Sequence, residues 1–553
     1  MGPQEMLILA VIQYIKKEWV MPTPRIMFDH DGRHPLIYMY EPPIYREELE
    51  AAVDELAGTP VEALMLMLGD IRSLLYETRA GELWGQNVEQ WPHTIWRRAH
   101  QNFTALIQRG EDPLRVLCNR AHAKGMLLYA TLLTQQGGRE RMLKSWENED
   151  FDPEDWRLDV QPLDIGASGD IEPDWPGYRC PDFKHDEVRE GTLAVIQEVL
   201  DNYPVDGLEL QLTYEPYYFH PDQVEAGRAI MSTWIEQVYE AVKKGDSGRE
   251  LVVHVPANLA GGLEVGLDPV AWMRQGIVDV VVAGAVGVGG GVDPSMDFRP
   301  LVERASGTQC RVHAAVASRV NTDRIGEGTI EMMRASACNA WAQGVDGIYL
   351  EHWFGCWPYE ADFYEKLREI PHPDIMAAKD KIYHITTATE RSSQPAAVPH
   401  KAKPLPVELE VEKPLRLAFI ISDDLPRWGA MGRVHEVLLR LRLAASTELD
   451  LFRFVLNGRE LPAEQLRRIN QMYAMSAPRY RSFGQWYVFR VDQDYWPREG
   501  VNEVEVTLLE RDAGVRGPIS LNDAELDIKY LKGKNFHRGF VDADLGPYEH
   551  RVT

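Results

Sequence analysis

Two carboxylates stand where a chain could use them as an acid and a base. Glu209 lies in Tyr203-Pro-Val-Asp-Gly-Leu-Glu-Leu-Gln-Leu-Thr-Tyr-Glu-Pro-Tyr-Tyr-Phe219, which alternates strictly from Gly207 to Thr213. That alternation is the period of a strand. Leu208, Leu210 and Leu212 share one face; Gly207, Glu209, Gln211 and Thr213 share the other. Glu351 takes the same place in Val345-Asp-Gly-Ile-Tyr-Leu-Glu-His-Trp353. A carboxylate enclosed among polar neighbours has a movable pKa, which acid–base chemistry requires. Either strand alone would read as half exposed, with its glutamate in water. The repetition favours Glu209 and Glu351 as a catalytic pair.

Further polar residues fall where strands end. Asp29, Asp31, Asp70, Arg72, Gln211, Tyr214, Glu215, His254, Asn258, His313, His352 and Trp353 are the candidates for binding a substrate, with Thr131 beside them. Asp206 and Asp346 precede the strand glycines out of phase with the two glutamates, and read as turn-stabilising groups. Asp29-His30-Asp31 raises the question of a metal. Asp29 and Asp31 are in phase while His30 points away, and no HxH or HExxH accompanies them. The expectation is no metal and no cofactor.

Positioning these residues takes eight strand candidates: 25–31, 61–68, 125–131, 207–213, 251–255, 278–283, 311–317 and 347–350. Helix-compatible segments separate them, which is the rhythm of a (β/α)₈ barrel. Crossovers of this length return the chain in the same direction, so the strands pair in parallel. An open doubly wound sheet is the alternative. Gly284–Gly291 does not support it, because it lacks the GxGxxG spacing and follows the sixth strand rather than the first. In a barrel the reacting groups sit at the C-terminal strand ends.

The domain reading is a helical leader at 1–20, a barrel at 21–390, a Pro-rich linker at 391–407 and a β-sandwich at 408–553. Short alternating strands and turn pairs such as Asn457-Gly458 mark the sandwich. One segment there, Val434–Leu443, reads as a helix. The apolar run Leu7–Gln13 lacks a basic region before it and is too short to span a bilayer.

The chain has 553 residues, too many for one ordinary core. A net charge of −26 argues against nucleic acid as a partner, since phosphates require a basic face. Five scattered cysteines with no CxxC pair suggest reduced thiols. The expected setting is the cytoplasm, or a secreted or periplasmic one if a leader has been removed. No membrane is expected, and homo-oligomerisation is left open.

The first domain resembles the glycoside-hydrolase-like TIM-barrel proteins. Val205-Asp-Gly-Leu-Glu-Leu-Gln211, Phe183–Arg189, Gly266–Trp272 and Gly344–Leu350 carry the resemblance, with Val455–Arg459 and Asn502–Val506 in the accessory sandwich. The resemblance implies a carbohydrate substrate and hydrolysis of an O-glycosidic bond. Gln211 departs from it, standing where a carboxylate is usual. That departure favours a second reading, a non-catalytic carbohydrate binder; a third reading is a metal-dependent hydrolase or lyase using Asp29, His254, His313 and Glu351. Tyr214, Tyr217, Tyr218, Trp353, Trp357 and Tyr359 would offer faces for stacked sugar rings, or pack the loops. Strand 7 carries no carboxylate, which leans the expected mechanism towards inversion.

Overall fold

A computed structural model describes residues 23–532 apart from 71–72, 87, 89, 92, 136–159, 174, 287–290, 321–325, 386–404 and 471–483, together with 541–542 and 546–547. The helical leader, Arg72 and most of the Pro-rich linker lie outside the described residues.

Eight parallel strands close into a barrel: β1 (Ile26–His30), β2 (Ala63–Asp70), β3 (Leu127–Leu133), β4 (Gly207–Gln211), β5 (Glu250–Pro256), β6 (Val280–Gly284), β7 (Arg311–Ala317) and β8 (Gly347–Glu351). Each pairs with its neighbour in sequence, and β8 pairs with β1 to complete the ring. All eight strands expected from alternation are present, in the expected order. Their outward residues, such as Leu208 and Leu210, pack under the helices, while Met27, Met65, Tyr129, Val252, Val280, Val282, Ala315 and Tyr349 fill the interior.

The interior pairs large rings with glycines on the next strand. A Cβ on Gly207 would overlap the Tyr129 ring, one on Gly284 would lie 2.5 Å from His254 Nε2, and one on Gly347 would lie 2.5 Å from His313 Cε1. Gly207→Ala should therefore destabilise the chain by about 1–3 kcal/mol through overpacking. Gly191, helical and with nothing within 4 Å of its Cβ position, is the control. Thermal melts check both: a Gly207→Ala melting temperature at or above that of Gly191→Ala would refute this account of the interior.

The second domain is a sandwich of two antiparallel sheets. One joins Lys381–His384, Ile519–Tyr530, Val434–Ala444, Gln485–Arg490 and Leu466–Asn470, with Val407–Leu409 also on Ile519–Tyr530; the other joins Leu415–Ile421, Gly500–Glu510, Leu451–Leu456 and Arg459–Glu460. Their inner faces share one core that includes Phe419, Leu439, Phe489, Val506 and Leu526. Val434–Leu443 is a correction, since it forms a strand and not a helix. Val437, Leu439, Leu441 and Leu443 face the core at period two, and the arginines between them pair across the sheet, Arg440 with Glu525 and Arg442 with Asp523. Strand Lys381–His384 precedes the Pro-rich stretch yet belongs to the sandwich.

The two domains meet at helix Ile330–Ala342. It is buried from Met332 to Ala340, with Met333, Ala337 and Ala340 in the barrel core and Ala335 in the sandwich core. Asn339 Nδ2 donates to Pro294 O (2.6 Å) on the barrel side and to Ile420 O (2.7 Å) on the sandwich side.

Candidate active site

The strand ends bring three carboxyls together at one end of the barrel. Glu351 is the last residue of β8, and Asp29 lies one position beyond the Phe28–Leu350 pair that joins β1 to β8. Glu209 projects inward from β4 on the opposite side of the ring. All three are buried, with exposures of 3% for Asp29, 0% for Glu209 and 4% for Glu351.

Each carboxyl is held differently. Glu209 Oε2 accepts from Thr131 Oγ1 (2.7 Å) and Tyr349 Oη (3.1 Å), while Oε1 lies 3.7 Å from His254 Nδ1 and has no hydrogen-bond partner. Asp29 Oδ2 accepts from the His352 amide (3.2 Å) with the His352 Nδ1 at 3.4 Å, and Asp29 Oδ1 has no hydrogen-bond partner. His352 aims that amide from a left-handed conformation, φ 57°, sparsely populated for a non-glycine residue and of the kind that clusters at functional sites.

These surroundings separate the protonation states. Burial first, then the negative charges of Glu209, Glu351 and Asp31, outweigh the His352 hydrogen bond and raise the Asp29 pKa well above its usual range. Burial also lowers His352, against the pull of Glu351 and Asp31. A carboxyl whose pKa is raised by burial and by the charge of its neighbours is the kind of asymmetry that acid–base catalysis uses.

The remaining sequence candidates divide. Gln211 and His254 join the cluster from β4 and β5, and His254 packs edge-on against Tyr349 at 5.1 Å. Asp31 and Asp70 sit at the mouth with turn duties: Asp31 Oδ1 accepts from the amides of Arg33 and His34, and Asp70 Oδ1 from that of Ser73. Half-buried Tyr214 and buried Glu215 follow β4, with Glu215 Oε2 3.9 Å from Cys180 Sγ. Asn258 is exposed and caps helix Leu259–Glu264.

Two placements are corrections. His313 lies near the start of β7, two residues after Arg311, and is influenced by Arg311 and Arg25, so it lies at the barrel's N-terminal end, away from the mouth. Trp353 is fully buried, with its indole N–H donated to Val316 O (2.9 Å) and its ring against Phe363. It packs the core and, although it touches the cavity on the flank of the β7 and β8 ends, is too deeply buried to serve as an open platform for stacking. Tyr349 is not among the site candidates from sequence, where it serves only as the residue that shares a face with Glu351 two positions later. Asp206 and Asp346 do stabilise strand starts, accepting from the amides of Leu128 and Val312.

A cavity of about 350 Å³ lies on the flank of the β7 and β8 ends, lined by Ser318, Met333, Trp357, Phe363 and Lys366 among others. Ser318 Oγ links it to the site by donating to His352 O (3.1 Å), but none of the three carboxyls lines it. Among the described residues no group of three His, Cys, Asp or Glu side chains is placed to hold a metal ion. Among the same residues no helix is long and apolar enough to cross a membrane.

Buried histidines give the fold a signed pH dependence. Burial lowers His313 to about 3 and His30 to about 4, so both stay neutral in the folded chain well below the usual 6.5. The unfolded chain then binds more protons across that window, and stability falls as pH drops from 6.5. Asp29 acts with the opposite sign: its raised pKa makes stability fall as pH rises through and above the ordinary carboxylate range. His313→Gln should flatten the loss of melting temperature between about pH 6.5 and 4, and Asp29→Asn should raise the melting temperature near pH 7. An unchanged acid limb in His313→Gln would exclude that residue as a source.

No protein-family model matches the sequence, and no curated protein matches it. Among solved structures, the chain is similar to the cycloisomaltooligosaccharide glucanotransferase of Paenibacillus sp., with TM-score 0.32 and 11% identity over 91% of this chain and 57% of that one. It is similar to alpha-L-fucosidase isoenzyme 2 of Paenibacillus thiaminolyticus, with TM-score 0.40 and 12% identity over 64% and 49%. A third likeness is to the PgaB (BpsB) glycoside hydrolase domain of Bordetella bronchiseptica, with TM-score 0.38 and 13% identity over 63% and 99%. The chain spans about half the length of the first two. Likeness at this level decides nothing about activity; the fold rests on the strand pairing and any function on the site.

Proposed function

We propose that the chain is a glycoside hydrolase that cleaves an O-glycosidic bond by carboxyl acid–base chemistry at the C-terminal mouth of its barrel. The observation that supports this is the meeting of Asp29, Glu209 and Glu351, with the Asp29 pKa raised first by burial and then by the negative charge of the other two. Glycosidic cleavage needs one carboxylic acid to protonate the leaving oxygen and one carboxylate to attack or to activate water. Glu209 and Glu351 are the pair, and Asp29, whose pKa is raised, lies beside them. Thr131 and Tyr349 orient Glu209, and the His352 amide orients Asp29.

Purified protein screened against nitrophenyl glycosides and polysaccharides tests the reading, with the anomer of the first-formed product read by NMR. Turnover insensitive to chelator is the expected result. Sugar binding without turnover would replace hydrolysis with the binding-only reading, which the buried amide of Gln211 favours. Loss of turnover with chelator would select the metal-dependent reading.

A further inference from the structure

Gln211 Oε1 accepts from the Thr213 amide (2.9 Å) and from Thr213 Oγ1 (2.7 Å), and Gln211 Nε2 lies 2.9 Å from His254 Nδ1. A backbone amide can only donate, so the Gln211 atom facing Thr213 is the oxygen and the atom facing His254 is the nitrogen. That nitrogen also only donates, so His254 Nδ1 accepts. The proton of the neutral ring is then on Nε2. Glu209 Oε1, the one oxygen of that carboxyl with no hydrogen-bond partner, lies 3.7 Å from the same Nδ1, and His254 Nε2 is buried with no partner of its own.

We propose that Gln211 is a positioning residue for Glu209, acting through His254. By holding the ring proton on Nε2, it denies Glu209 Oε1 a donor from inside the barrel. Oε2 is occupied by Thr131 and Tyr349, so Oε1 is the oxygen left to exchange a proton with substrate or water. A carboxylate at 211 would reverse the arrangement. It would draw the ring proton to Nδ1, where it would be shared with Glu209 and would tie Oε1 down. Gln211 thus bears on the chemistry without touching the reacting bond, and this role rests on the acid–base reading of Glu209.

Ring-¹⁵N histidine NMR of the whole deuterated chain tests the proposal, with the His254 signals assigned by their loss in His254→Asn. The neutral wild-type ring should carry its proton on Nε2, and Gln211→Glu should move it to Nδ1. Gln211→Met, which removes the amide with little change of size, should give a mixture of tautomers and serves where the glutamate variant fails to fold. On a turned-over glycoside, Gln211→Glu should lower kcat by at least about tenfold with KM held within about twofold, since a misplaced ring proton leaves binding intact. A wild-type proton on Nδ1, a tautomer unmoved by either substitution, or an unchanged kcat overturns the role. An Nε2 proton in a chain that hydrolyses no glycoside overturns the reading of the site and the role with it, leaving the tautomer assignment standing.

Discussion

Glu351→Gln should lower kcat by about 100- to 10,000-fold while the melting temperature and KM stay near those of the parent, and Glu209→Gln should do the same. The amide keeps the shape of each side chain but cannot exchange a proton. Glu351 ends β8 at the mouth, and its removal also takes one negative charge from beside Asp29. Glu209 is the deeper of the two, and its amide must still accept from Thr131 and Tyr349 through one oxygen. Its other atom would then place an N–H where an oxygen now lies 3.7 Å from His254 Nδ1, a nitrogen that itself carries no proton, so the fold should tolerate the change. Near-normal turnover in either variant removes that residue from the mechanism. A large drop in melting temperature in Glu209→Gln would instead mark it as a structural carboxylate. Product formed with retained configuration would refute inversion even with both residues essential.

Much of this site was legible because a barrel strand writes its inner and outer faces as alternation. Glu209 and Glu351 were placed inward by counting from Leu208 and Ile348, and both point inward. Alternation carries phase but not depth, and His313 shows the difference. It has the right phase on β7 but lies near the start of the strand rather than its end, so it sits among Arg25 and Arg311 at the other end. Trp353 shows another limit. It and Asn258 both follow a strand end, but one is drawn into the core and the other caps a helix, and only the path of the chain decides between such fates. The Gln211–His254 contact joins residues 43 apart in sequence, so no local pattern announces it.

The fold was legible for the same reason, and it failed where two patterns coincide. Val434–Leu443 has a sandwich strand's inner residues at period two, but Leu438 on the outer face fills in the apolar run and Arg440 and Arg442 are good helix formers. What decides is the partner strand Ile519–Tyr530, whose Asp523 and Glu525 satisfy those arginines. Helix Ile330–Ala342 is the complementary case. It is buried by the barrel on one side and the sandwich on the other, and so shows little of the one-sided pattern expected of a surface helix.

Removing Asp423 should cost about 3–5 kcal/mol, because it leaves a buried ammonium without its counter-ion. Lys381 is 1% exposed and its Nζ lies 2.9 Å from Asp423 Oδ1, while the hydroxyls of Tyr383 and Tyr530 also donate to Asp423. Lys381 Nζ also donates to the carbonyls of Ala377 and Lys379 and lies 5.2 Å from the Tyr530 ring centroid, none of which carries a compensating charge. Asp423→Ala should therefore lower the denaturant midpoint far more than an exposed pair such as Arg299 and Asp297 could, whose loss is worth at most about 1 kcal/mol. Replacing both partners with apolar residues, Lys381→Met with Asp423→Leu, should recover much of the loss, as burial without charge carries no such desolvation cost. The pair also fixes where the second domain can be cut. Lys381–His384 lies on Ile519–Tyr530 beside Val407–Leu409, so residues 408–553 alone lose an edge strand and the partner of Asp423. A chain of residues 377–553 should unfold cooperatively in urea, and one of residues 408–553 should do so at a much lower midpoint or not at all. Equal midpoints for the two would show that the sandwich is complete without Lys381, and that Asp423 finds a partner elsewhere.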